Sequence, residues 1–265
     1  MKQVLVWIFV LGFAAIIPLT AAASPYSNAS HDWYFKRSAN HGPATTEPEY
    51  EALLNKYGGI FQGNTHKKFI YLTFDNGYEQ GYTSRILDTL KKKQVPAAFF
   101  VTGHYLESEP DLVKRMVKEG HIVGNHSWSH PDFPTVGNQK LKRELQRVED
   151  KYTEITGQKD MKYLRPPRGV FSERTLALTE KLGYTNVFWS LAFKDWERNN
   201  QKGWKYSYNN VMEQIHPGAI MLLHTVSKDN AEALPKIIDS LREKGYKFKS
   251  LDYLMAHRNV PEFVW

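Results

Sequence analysis

Between residues 67 and 254 the apolar positions follow two alternating patterns. Short runs rich in aromatic and β-branched residues at 69–74, 96–101, 121–124, 163–164, 185–191, 219–223 and 246–251 predict seven buried strands. Between them, apolar residues recur at helical spacing. Ile86, Leu87 and Leu90 share one face of a helix over 84–93, and Leu112, Val113, Met116 and Val117 one over 110–119. Leu141, Leu145, Val148 and Tyr152 mark a long helix over 138–156; shorter ones follow at 172–182 and 209–215. Leu234, Ile237, Ile238 and Leu241 fall at i, i+3, i+4 and i+7 of a last helix. Strands that alternate with helices predict an α/β fold, a distorted (β/α) barrel of about seven parallel strands.

The first 66 residues break this pattern. Residues 1–23 carry one early lysine, an apolar run from Val4 to Ile17, and small residues at Ala21 and Ala23, which fits a cleaved signal peptide. The run is shorter than the roughly 20 residues that span a bilayer, with an uncleaved anchor as the alternative reading. Residues 24–66 are polar and proline-containing, and read as an N-terminal extension that packs back through Trp33, Tyr34 and Phe35, with a short helix near 49–57. The protein is expected to be secreted, with no stable membrane insertion after cleavage and as a monomer. It lacks cysteine, which excludes disulfides, thiolate metal sites and a cysteine nucleophile. The net charge is +7, but lysines and arginines are interspersed with acids, and no basic tract suggests nucleic acid as a partner.

Polar residues of chemical interest fall at the ends of the predicted strands. Asp75 and Asn76 end the first, His126 and His130 follow the third, Arg165 the fourth and Asp195 the fifth, and His224 ends the sixth. Parallel barrels build their active sites at that rim. Singly, each has a plain structural reading. Asp75-Asn76-Gly77 suits a turn as well as a catalytic carboxylate, His126 and His130 could be two surface histidines, and His224 a satisfied core histidine. Together they suit metal-assisted hydrolysis. Two imidazoles four residues apart hold a metal, Asp75 takes a proton from water, and His224 protonates a leaving amine. Asp195 holds the tautomer of His224, and Arg165 keeps Asp75 ionised. A Gly-x-Ser-x-Gly elbow, a His-Glu-x-x-His motif, a P-loop and a Gly-x-Gly-x-x-Gly motif are all absent.

Five segments in this order resemble the motifs of the polysaccharide deacetylases (carbohydrate esterase family 4, NodB homology). They are Thr73-Phe74-Asp75-Asn76-Gly77, His126-Ser127-Trp128-Ser129-His130, Arg165-Pro166-Pro167-Arg168-Gly169, Asp195-Trp196 and Leu222-Leu223-His224. The resemblance runs from about Lys67 to Leu254, so residues 67–265 read as the NodB homology domain. It implies a barrel enzyme that removes acetyl groups from N-acetylmuramic acid in peptidoglycan strands, permitting muramic δ-lactam formation in spore cortex. Asp75 matches the base, Arg165 its orienting arginine, Asp195 the tuning aspartate and His224 the acid. His126 and His130 match the metal ligands, with Asn76 at the position of the third.

The family has Asp-Asp where this chain has Asp75-Asn76. An amide oxygen brings no charge, so a divalent ion such as Zn²⁺ or Mg²⁺ is expected to bind more weakly. Ala192 is a second departure, at a position where aspartate is common. Arg168, three residues past Arg165, is the candidate reader of the lactyl carboxylate that distinguishes muramic acid from glucosamine. Tyr78, Trp128 and Trp204 are candidate sugar platforms, with core packing as the alternative. The rival functions are an N-acetylglucosamine deacetylase acting on chitin or wall glycan, and an inactive wall-binding protein.

Overall fold

The computed structural model describes residues 25–258, so the leader assigned to residues 1–23 lies outside the described residues. In chain order the strands are β1 (His31–Asp32), β2 (Phe69–Asn76), β3 (Ala97–Val101), β4 (Ile122–Asn125), β5 (Tyr163–Leu164), β6 (Val170–Phe171), β7 (Thr185–Asn186), β8 (Ala219–His224) and β9 (Lys247–Phe248). The helices are α1 (Pro48–Lys56), α2 (Thr83–Lys93), α3 (Gly103–Ser108), α4 (Pro110–Lys118), α5 (Asn138–Thr156), α6 (Glu173–Lys181), α7 (Trp204–Gln214), α8 (Lys228–Glu243) and α9 (Leu251–His257).

Seven of the strands form one parallel sheet in the order β7-β5-β4-β3-β2-β8, with β9 pairing to the start of β2. This is the expected curled βα sheet. Ile70, Leu72 and Phe74 of β2 point toward the helices, where they join Ile86, Leu87, Leu90, Ile237 and Ile238 in the main core. The alternate positions face inward: Tyr71 packs with Ala98, Phe100, Tyr163 and Ile220, and Leu251 and Leu254 of α9 complete that cluster. The sheet closes only through single bridges. Leu191 pairs with Met221, and its carbonyl accepts from Leu222 N at 2.9 Å.

The extension supplies part of the closure. Ile60 bridges to Val187 in parallel, and Gln62 to Ala219 antiparallel. β1 pairs antiparallel with β6. Trp33 is buried among Leu54, Tyr57, Phe61, Phe171 and Phe188, its ring centroid 4.6 Å from that of Phe188. Trp33 therefore anchors the extension as expected. Tyr34 does not, because it faces solvent.

The expected strand over 185–191 is a correction. Only Thr185–Asn186 is continuous strand, and the chain then crosses from Ile60 to β8, with Phe188 N donating to the Ile60 carbonyl at 2.8 Å and Ser190 N to that of Ile220 at 3.0 Å. The strand expected over 246–251 is likewise shorter, since Ser250 caps α9 by accepting from Tyr253 N. Helix α7 begins at Trp204, ahead of the expected 209, and α3 was not expected.

Candidate active site

The site is built at the C-terminal rim of the sheet, where register sets the spacing. Asp75 is paired with Phe100 on one side and with His224 on the other. Residues opposed across parallel neighbours project the same way, so the carboxylate and the imidazole share one face. Arg165 leaves the end of β5 and is wholly buried. Its Nη1 donates to Asp75 Oδ1 (2.7 Å), Nη2 to the Thr73 hydroxyl (2.9 Å) and Nε to the Val187 carbonyl (3.0 Å). The Phe100 ring lies 4.2 Å beneath the guanidinium.

This pinning occupies Oδ1 of Asp75 and leaves Oδ2 facing His126 Nε2 at 3.5 Å. Burial pushes the Asp75 carboxyl up, but Arg165 foremost, with His126 and His224, outweighs it and holds the group below its ordinary value. Asp75 is thus a buried carboxylate kept ionised, with one oxygen available.

The histidine loop follows β4. The Asn125 side chain accepts from Ser127 N (2.9 Å), and Ser127 Oγ accepts from His130 N (3.1 Å). Ser127 and His130 both adopt left-handed backbone, at φ 62° and 57°, which costs about 1–2 kcal/mol per residue for non-glycine side chains. Glu144 of α5 holds the loop in place by accepting from Ser129 N (2.7 Å) and Oγ (2.8 Å). The result brings His126 Nε2 and His130 Nε2 to 3.2 Å. His126 Nδ1 donates to the Arg165 carbonyl at 2.8 Å, so the bare lone pair is on Nε2. Burial, and then the neighbouring His126, push the pKa of His130 down to about 3, and burial lowers that of His126 as well. Both rings are therefore neutral donors.

Two nitrogens on one tetrahedral ion at about 2.0–2.1 Å lie about 3.4 Å apart, and the histidine pair matches that span. The Asn76 amide donates from Nδ2 to Thr225 Oγ1 (2.8 Å), while its Oδ1 is buried with no hydrogen-bond partner among the described residues. Two imidazoles at that span and an orphaned amide oxygen are donors of the type a divalent ion takes, but the set is neutral, and no group of three or more histidines and carboxylates able to hold a metal occurs among the described residues.

On the opposite wall, His224 Nδ1 donates to Asp195 Oδ1 (2.7 Å), and His224 N donates to Asp195 Oδ2 (2.9 Å). Burial lowers the imidazolium's pKa, but the charge and hydrogen bond of Asp195, helped by Asp75, more than compensate, and the net shift is upward. Nε2 is left facing the site as a proton donor. Sequence reasoning missed Asn230. Its Nδ2 donates to Asp195 Oδ2 (2.5 Å) and to the His224 carbonyl (3.2 Å), and its Oδ1 accepts from Ser207 Oγ (2.8 Å). Its place in the first turn of α8, six residues past His224, was the available signal.

The candidate sugar contacts divide. Tyr78 is 58% exposed at the rim, beside His104 and Arg198. Trp128 is partly buried and shows the packing that was its alternative reading: a Cβ on Gly103 would meet its ring at 2.3 Å, and the Arg147 guanidinium lies 3.9 Å from its centroid. Trp204 packs with Tyr208 on α7. Arg168, at φ 56°, places Nε and Nη2 on Asp132 Oδ1 at 2.8 and 2.5 Å.

A polysaccharide deacetylase family model matches residues 62–187. The peptidoglycan-N-acetylmuramic acid deacetylase PdaA of Bacillus subtilis is 53% identical over 240 residues, 91% of either chain. The chain belongs to the polysaccharide deacetylase family. The solved structure of B. subtilis PdaA, a family 4 carbohydrate esterase, matches this deacetylase at a TM-score of 0.86 and 54% identity, covering 88% of this chain and 100% of that one. A peptidoglycan-N-acetylglucosamine deacetylase of Bacillus cereus is 33% identical, over 75% of this deacetylase and 72% of the relative.

Proposed function

We propose that this deacetylase hydrolyses the acetamido group of N-acetylmuramic acid in peptidoglycan glycan strands outside the cell. The muramic assignment is supported by the 53% identity to PdaA, against 33% to the B. cereus N-acetylglucosamine enzyme. The observation that carries the chemistry is the opposition of an ionised carboxylate and an aspartate-backed imidazole at paired positions of β2 and β8. A binding protein has no use for such a proton-transfer set.

Asp75 Oδ2 takes the proton of a water that attacks the acetyl carbonyl carbon. His224 Nε2 gives a proton to the amide nitrogen as the C–N bond breaks, leaving acetate and a free amine. His126, His130 and the Asn76 amide oxygen would hold a divalent ion, which supplies polarisation of the carbonyl and of the water. Arg168 is oriented by a carboxylate already, that of Asp132, and we assign it the lactyl carboxylate of the reacting sugar. The freed amine is then placed to close on that carboxylate, as the muramic δ-lactam of spore cortex requires.

The test is acetate release from purified glycan strands, with and without peptide stems, by metal-stripped enzyme before and after addition of Zn²⁺ or Mg²⁺. Release from stripped strands that metal restores is the expected outcome. Release indifferent to chelation would remove the metal role, and no release under any condition would remove the enzyme assignment. Arg168→Ala is expected to lower the preference for muramic acid over glucosamine, and an unchanged preference would end its assigned role.

A further inference from the structure

A groove of about 380 Å³ lies between the extension and the segment after β7, lined by Trp33, Tyr34, Phe35, Arg37, Trp189 and Ala192. We propose that it is a glycan subsite for a carboxylate-bearing sugar further along the substrate strand from the one being deacetylated. This rests on the peptidoglycan reading above.

The groove adjoins the proposed catalytic machinery through Trp189. The Trp189 ring lies 5.6 Å from the Arg165 guanidinium that grips Asp75, and its carbonyl accepts from Trp33 Nε1 at 2.9 Å. Gly169, four residues past Arg165, touches the same two tryptophans: a Cβ there would lie 2.7 Å from Trp33 Cβ and 2.8 Å from Trp189 Cη2. The Trp189 indole therefore stands between the groove and the guanidinium that grips Asp75.

The lining has the chemistry of an acidic saccharide site. Tyr34 leaves 53% of its surface open and offers a flat apolar face with a hydroxyl, which suits a pyranose ring. Arg37 is exposed and carries no hydrogen bond or ion pair among the described residues, and no acid lines the groove. The neighbouring Lys36 is by contrast neutralised by Glu47 at 3.0 Å. A free guanidinium fork beside aromatic faces selects a carboxylate on a ring. Sugar carboxylates come from the lactyl group of a stem-free muramic acid, and peptide carboxylates from an intact stem. Apart from Arg37 and Ala192 the lining is aromatic, which suits a ring that carries its own carboxylate and favours the lactyl group.

The backbone on the extension's side of the groove is tied down before binding. Thr46 Oγ1 donates to the Tyr34 carbonyl (2.6 Å), Lys36 and Thr45 exchange backbone hydrogen bonds (2.7 and 3.0 Å), and Trp33 N donates to the Gly169 carbonyl (3.0 Å). The ordering cost left for the ligand is that of the exposed Tyr34 and Arg37 side chains. The other sizeable cleft, at the far end of α5 beside Glu149, Asp150 and Lys159, shares no residue with the site.

The experiment measures binding apart from turnover, by tryptophan fluorescence of the full-length protein. The ligands are stem-free glycan strands of increasing length, stem-bearing strands, and neutral chito-oligosaccharides of matched length. Arg37→Ala is expected to weaken binding of long stem-free strands about ten-fold and to abolish their advantage over chito-oligosaccharides. Tyr34→Ala is expected to weaken both, more as the chain lengthens. Steady-state kinetics on the same strands should show the loss in KM. Both side chains are exposed, so thermal unfolding should stay at the wild-type value and separate lost binding from lost fold. Unchanged dissociation constants in both variants would overturn the proposal, as would a loss independent of chain length. An Arg37-dependent advantage for stem-bearing strands would assign the carboxylate to the peptide and overturn the sugar assignment. Binding that depends on Arg37 in a protein that releases no acetate would keep the subsite and remove only the deacetylase reading.

Discussion

Arg165 and Asp75 are a buried ion pair whose members were chosen by chemistry more than by stability. Removing one partner of such a pair leaves the other charge desolvated and costs about 3–5 kcal/mol. Arg165→Met is therefore expected to lower the unfolding free energy by that amount in urea titration, and to release Asp75 upward from its depressed pKa. The second residue-scale prediction concerns pH. His224 must be protonated to act, so kcat/KM falls as pH rises through its raised pKa, while Asp75 must be ionised and sets the acid limb. Asp195→Asn removes the charge that raises His224. The alkaline limb of the kcat/KM profile should move to lower pH, and an unmoved limb would show that Asp195 does not set it. Asp75 and His224 close strands β2 and β8 and Arg165 follows β5, which is why the sequence offered them as candidates, whereas Asp195 lies well beyond the short β7 and meets His224 only through the fold. Asn230 and Thr225 gave no such signal, since a polar residue in the first turn of a helix looks like any capping residue and one just past a strand like any turn residue. The packing of Trp128 was not legible either, because Gly103 reaches it from α3, 25 residues earlier in the chain.

Helix α3 is the element that the periodicity did not reveal. It is six residues long, too short to repeat an apolar face, and Thr102 caps it by accepting from Tyr105 N. Yet it carries Gly103, whose N–H donates to the Ser127 and Trp128 carbonyls at 3.3 and 3.2 Å. A methyl group at Gly103 would sit 2.3 Å from the Trp128 ring. Gly103→Ala is expected to cost about 1–3 kcal/mol and, by displacing the loop that ends at His130, to lower metal affinity. Differential scanning calorimetry and Zn²⁺ titration of the same variant check both effects. The seven parallel strands were legible through their apolar runs, but their lengths were not. Apolar side chains mark what is buried, and Val187, Phe188 and Leu191 are buried in a segment that is not paired along its length. The start of α7 escaped because Trp204, Tyr206 and Tyr208 do not form an aliphatic helical stripe.

At the scale of the whole molecule, the extension belongs to the body of the enzyme. Trp33 fills a cluster shared with β6, α6 and Phe188, and its indole N–H is spent on Trp189. Trp33→Ala is expected to cost about 3–5 kcal/mol and to loosen Trp189, so that chemical denaturation should show a lower midpoint and the affinity for long strands should fall in the same variant.

The bridges from Ile60 to Val187 and from Gln62 to Ala219 also bear on how the chain assembles. A segment near the beginning of the chain finds its partners only in the last third, so loop closure over most of the molecule precedes its reward. During synthesis β1 must wait for β6 and Ile60 for Val187, and Gln62 gains its bridge only when β8 has emerged. A chain ending before Trp189 holds only the extension's side of the glycan groove, and one ending before Ala219 holds the whole groove lining but lacks the bridge from Gln62 to β8.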